Sequence, residues 1–121
     1  MSLNLSMVQN KTGVFFLSVF QSDGVTPQTL VGSVLWFHAA IPGGGWSVNK
    51  SSPSLGITVN NSAGGQNCAT LQIEPIDTAN LSAIGTSGVI ALPCELTLQN
   101  GSKAYELASG SLQVSANVGT P

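Results

Sequence analysis

The residues able to do chemistry are few. The single histidine, His38, lies between Phe37 and Ala39 in a run of strand-forming residues. Acid–base or nucleophilic catalysis would need a carboxylate or nucleophile aimed at it, and the surrounding residues supply none, so His38 reads as a structural or solvent-facing side chain. The carboxylates are Asp23, Glu74, Asp77, Glu95 and Glu106. Glu74 and Asp77 are close in sequence, but they flank Pro75, where an aspartate is expected to cap a turn rather than pair with a second acid across a cleft. Gly43-Gly44-Gly45 has neither a following Lys-Ser/Thr nor a Gly-x-Gly-x-x-Gly frame, so no phosphate cradle is read there. Cys68 and Cys94 lack metal-ligand spacing. By side-chain alternation Cys94 shares the apolar face of Ile90, Leu92, Leu96 and Leu98, whereas Cys68 has the opposite parity to Ala69, Leu71 and Ile73. Two free thiols are therefore expected in place of a disulfide. No catalytic residue, cofactor or metal is expected, and the protein is expected not to be an enzyme.

The elements that position these residues are organised around Ala69–Leu81. Ala69, Leu71 and Ile73 alternate with Thr70, Gln72 and Glu74, the period of a strand with one buried face. Pro75 ends the ladder, and Asp77 and Thr78 favour a short helical turn near residues 76–83, with Leu81 and Ile84 lying back over the core. A long strand follows from Gly88 to Gln99. Before this corner, strands are expected at Leu3–Val8 (an edge), Thr12–Phe20, Ser33–Ala40, Trp46–Asn49 and Leu55–Val59, with Asn60–Asn67 as a turn-rich joint. After it, Asn100-Gly101 signals a type I′ hairpin into Lys103–Leu107, and Ser111–Ala116 forms a last strand. About eight strands at intervals of about ten residues predict an all-β chain. It is expected to be a single immunoglobulin-like antiparallel β-sandwich domain over residues 1–121.

Composition narrows the function. Apolar residues make up 42% of the 121 and charged residues only 7%, against a usual charged share of about a quarter. Lys11, Lys50 and Lys103 are the only cationic side chains apart from His38, and the net charge is −2. Nucleic-acid binding needs clustered Lys and Arg, so it is not expected. So weak a charge also leaves little long-range repulsion between copies. The N-terminal MSLNLSMVQNK lacks the basic and apolar regions of a secretion signal, and no apolar run approaches the ~18 residues of a membrane span. Asn-x-Ser/Thr sequons begin at Asn4, Asn10, Asn49, Asn60, Asn80 and Asn100, as expected by chance in a chain rich in Asn and Ser.

Contact residues are sought among exposed apolar side chains. In Thr12–Phe20, Phe15, Leu17 and Val19 share one face, and Val14, Phe16 and Phe20 share the other. Apolar residues on both faces point to a strand covered on both sides, at a sandwich core or a subunit contact. Trp36, Trp46 and Tyr105 suit a sugar-stacking platform by residue type. Core packing accounts for Trp36, and Trp46 beside the Pro42–Gly45 loop is kept as an exposed contact.

The motif order resembles the immunoglobulin-like N-terminal domain of phage upper baseplate proteins and related small domains of tail and head fibres. The matching pieces are Asp23-Gly24, Pro27-x-x-Leu30-x-Gly32, and Gly56-Ile57 before a Gly-rich turn. They continue with Leu71-x-Ile73-x-Pro75-x-Asp77-Thr78-x-x-Leu81, a long strand into Gly101, and Leu107-x-x-Gly110-x-Leu112-x-Val114. The resemblance implies a non-enzymatic virion or prophage component, assembled in the host bacterial cytoplasm, that packs against other virion proteins and copies of itself, with a trimer favoured. The alternative is a carbohydrate-binding module that meets a host glycan through Trp46 and the Pro42–Gly45 loop.

Overall fold

A computed structural model describes residues 2–81 and 88–116. Alternating apolar residues set the strands, because side chains two apart share a face and one face must leave water. Eight strands result, β1 (Ser2–Val8), β2 (Gly13–Val19), β3 (Val34–Ala40), β4 (Ser47–Ser51), β5 (Ile57–Val59), β6 (Gly65–Ile73), β7 (Val89–Asn100) and β8 (Lys103–Ser115). A short helix, α1 (Pro75–Ala79), lies between β6 and β7. They form a five-stranded sheet in the order β1-β8-β7-β3-β4 and a three-stranded sheet in the order β2-β6-β5. This is the immunoglobulin-like order, with the opening strand placed on the edge of the larger sheet.

Between the sheets lie Leu35 and Phe37 of β3, Ile57 of β5, Leu71 and Ile73 of β6, Leu92 and Leu96 of β7, and Leu112 and Val114 of β8, all nearly inaccessible. The sandwich departs from the expected antiparallel arrangement at one pair: β1 runs parallel to β8, with Leu3 opposite Gly110 and Met7 opposite Val114. The other pairs are antiparallel. Gly110 permits the parallel contact, because a Cβ there would fall 1.8 Å from the Leu3 carbonyl oxygen.

Several boundaries differ from the sequence reading. The strands expected at Lys103–Leu107 and Ser111–Ala116 merge into one continuous strand, β8, which ends at Ser115. A bulge within it, where Leu96 faces Ala108 but Thr97 faces Glu106, breaks the alternation and disguises its continuity. The two-residue hairpin loop is Gly101-Ser102, since Asn100 already pairs with Lys103. Only Gly101 of that pair has positive φ, the II′ arrangement rather than I′. The expected joint at Asn60–Asn67 is shorter, because β6 begins at Gly65.

Cys68, expected off the core face, is fully buried. Leu17 pairs with Ala69 but Val19 with Gly65, so Ser18 faces three residues of a bulge. Asn67 takes a positive φ of 52° in this bulge and its N–H donates to Ser18 Oγ at 3.0 Å. The kink turns Cys68 inward beside Ala69. Its thiol then faces the Leu17 carbonyl at 3.6 Å. Both cysteines are free and buried.

Candidate functional site

The corner after β6 gathers much of the polar chemistry and uses it for structure. Pro75 stands at the start of α1, where its missing N–H costs no hydrogen bond. Asp77 Oδ2 accepts from the Glu74 N–H at 2.7 Å and meets Lys50 Nζ at 2.7 Å. Thr78 is fully buried, and its Oγ1 accepts from the Asn10 N–H at 3.0 Å. The Gln9 amide donates to the carbonyls of Thr78 and Leu81, each at 3.0 Å. Trp46 is half-buried, packs against the core, and donates its indole N–H to the Asp77 carbonyl at 2.9 Å. Asp77 caps, as its position implies. Trp46, sought as an exposed contact beside the Pro42–Gly45 loop, ties that loop to the helix. Leu81 is buried over the core, whereas Ile84 lies outside the described residues.

His38 is exposed on the outer face of the five-stranded sheet, its Nδ1 against Asn49 Oδ1. Strand register gives it a carboxylate neighbour that linear sequence does not reveal. His38 faces Glu95, and Glu95 faces Ser109, so the row across the sheet reads Asn49, His38, Glu95, Ser109. In this row the carboxylate separates the imidazole from the hydroxyl, and an imidazole must touch a hydroxyl to take its proton. The row is a cross-strand polar ladder. No group of His, Cys, Asp and Glu among the described residues is arranged to hold a metal.

The remaining groups have similar local roles. Asp23 Oδ1 accepts from the N–H groups of Val25 and Thr26 at 2.9 and 2.8 Å, closing the turn at Gly24. The Thr26 hydroxyl, and then those two amides, hold its carboxyl below the ordinary value. Burial pushes the thiols of Cys68 and Cys94 up, away from the reactive thiolate. Trp36, expected in the core, is instead on the outer face of β3 and 40% exposed, with its indole N–H donating to Gln99 Oε1 at 3.0 Å.

Two other surfaces lie apart from these groups. A cleft of about 980 Å³ is lined by Phe20, Leu98, Tyr105 and Leu107 together with polar residues that include Gln28 and Lys103. Phe20 lines this cleft, past the end of β2, so it does not continue the face of Val14 and Phe16. Those two side chains point outward from the three-stranded sheet and are 50% and 66% exposed. Their cross-strand neighbours on β6 are Gln72 and Thr70. β2 is also a sheet edge, paired with β6 on one side and, among the described residues, with no strand on the other. An apolar, uncharged edge strand presenting an exposed aromatic ring is suited to protein contact. Neither a scan against protein-family models nor a search of curated proteins returned a match to this chain.

Proposed function

We propose that this protein is a non-enzymatic structural subunit of a phage or prophage particle, acting by packing against copies of itself and other particle proteins. The observation that carries the assembly reading is the open edge of β2 with Val14 and Phe16 exposed on it. The engagement of Asp23, Asp77, Thr78 and Trp46 in turns and caps supports a role without catalysis. The particle itself is proposed from the motif resemblance, running from Asp23-Gly24 through the corner to Val114.

The reading is tested in two parts. Light scattering over a range of concentrations gives the solution mass, for which a discrete oligomer is expected. Antibody detection across a density gradient of particles from the induced source culture asks whether the protein bands with them. Absence from every particle fraction, together with a monomer at all concentrations, would sink it.

A further inference from the structure

Three aromatic side chains suit a sugar-stacking platform by residue type, and the structure separates them. Trp46 packs against the core and donates to the Asp77 carbonyl. Trp36 stands on the outer face of β3, its N–H taken by Gln99. Tyr105 is left, and it lines the cleft of about 980 Å³.

The register shows why Tyr105 is unusual. It pairs with Leu98, and Leu98 pairs with Leu35, so the three share the core-facing side of the five-stranded sheet. Leu35 and Leu98 are buried there, yet Tyr105 is 52% exposed. An aromatic ring on the inner side of a sandwich is thus left half open, in a concavity of a size that small molecules occupy. Part of the lining comes from the connection after β2. That connection is fixed by a bridge between Phe20 and Pro27 and by the Gln28 N–H, which donates to the Val19 carbonyl at 3.2 Å. The β7–β8 hairpin is fastened to the residue before β3 by Asn100 Nδ2, which donates to Ser33 Oγ at 3.2 Å. Segments already held in place need little further ordering to receive a ligand.

The lining also selects the chemistry of that ligand. Gln28, Ser33, Asn100, Ser102 and the Tyr105 phenol are uncharged groups that both donate and accept hydrogen bonds. The cation Lys103 is matched by the anion Glu106. A phosphate would need clustered positive charge, and a hydrocarbon chain would leave the amides and hydroxyls without partners. A ring with C–H groups on its faces and hydroxyls around its edge satisfies both halves of the lining. We infer that this cleft is a binding site for an uncharged saccharide, with the Tyr105 ring as stacking platform and Gln28 and Asn100 as hydrogen-bonding partners. The inference is independent of the assembly reading. It moves the carbohydrate contact from Trp46 and the Pro42–Gly45 loop to the hairpin at Gly101.

The test begins with an array of neutral and acidic glycans probed with the labelled full chain. The neutral glycan of strongest signal is then titrated into the chain and followed by two-dimensional amide NMR. Neutral glycans are expected to bind, and the amides of residues 101–105 to shift. Tyr105→Ala is expected to weaken binding at least about tenfold, the scale of losing one aromatic anchor, and Tyr105→Phe to retain most of it. A dispersed amide spectrum shows that the alanine variant is folded; if it does not fold, the wild-type shift pattern decides the site. Binding undiminished in a folded Tyr105→Ala, or shifts confined to residues outside the cleft, would overturn the site. Signal from acidic glycans alone would overturn the ligand class. Silence across the array would overturn the inference entirely and leave the assembly reading to its own experiments.

Discussion

The two flanks of the sandwich are built differently. On the flank of β4 and β5, backbone bonds fasten the segment that joins the two strands to itself and to each sheet in turn. Ser51 and Leu55 exchange a reciprocal pair at 2.9 Å each, Ser52 N–H donates to the Leu35 carbonyl at 2.9 Å, and Gln72 N–H donates to the Gly56 carbonyl at 2.8 Å. The buried Ser52 hydroxyl adds a bond from the Leu35 N–H at 2.9 Å. On the flank of β1 and β2 the sheets are joined in sequence by the turn after Val8, and among the described residues each ends in an edge strand. One flank is closed by its own chain. The other is tied at its turn, where Gln9 and Asn10 bond Thr78 and Leu81, and leaves the outer side of β2 without a strand among the described residues.

That contrast can be broken most severely from the β1 side. Gly110→Ala would push a methyl group into the Leu3 carbonyl, so β1 must shift. A loss of about 3 kcal/mol is expected, the upper part of the range for overpacking, measured by urea denaturation. Ser52→Ala attacks the closed flank, leaving the buried Leu35 N–H without its hydroxyl acceptor. It should cost about 1–3 kcal/mol in the same assay.

Phe16→Lys sharpens the comparison from the open side. At a concentration where the wild type is monomeric, its unfolding free energy should change by no more than about 0.5 kcal/mol, since the ring is already exposed. A large loss of monomer stability would mean that Phe16 serves the fold rather than contact. The smallest effect is expected at Asp23, in the turn beyond the open strand. Its depressed folded value means that its stabilising contribution is present above the ordinary carboxylate value of 3.8 and lost as pH falls through the lowered one. Asp23→Asn should therefore be slightly less stable than wild type at neutral pH, with the difference vanishing in strong acid. A difference that grows as the solution is acidified would contradict this.

Much of the sandwich is legible in the sequence because most strands follow one rule, alternation. Leu35, Phe37 and Ala39 are buried as their spacing implies, as are Leu92, Cys94, Leu96 and Leu98. The misreadings fall where a bulge shifts the phase. Cys68 turns inward and β8 continues through Leu107 for that reason, and local sequence does not mark either event. Trp36 shows a second limit: a large aromatic on a strand is equally stable on an outer face when Gln99 receives its N–H. The His38–Glu95 pairing was hidden for a third reason. It depends on the register of β3 against β7, residues distant in the chain. For the surface contacts, types alone placed Val14, Phe16 and Phe20 together, and the structure separates Phe20 because β2 ends before it.

The corner at α1 has a kinetic consequence. Its hydrogen bonds from Gln9 and Asn10 span 68 to 72 residues, and the one from Trp46 spans 31. Contacts that close such long loops form only after much chain entropy has been lost, so they belong late on the folding path. The corner is thus expected to act as a latch rather than a nucleus. Thr78→Ala should leave the refolding rate nearly unchanged in stopped-flow measurements and accelerate unfolding, the signature of an interaction made after the barrier. The β1–β8 ladder, which joins Ser2 to Ser109, closes a longer loop still, so the corner and that edge are expected to share in setting the lifetime of the folded state.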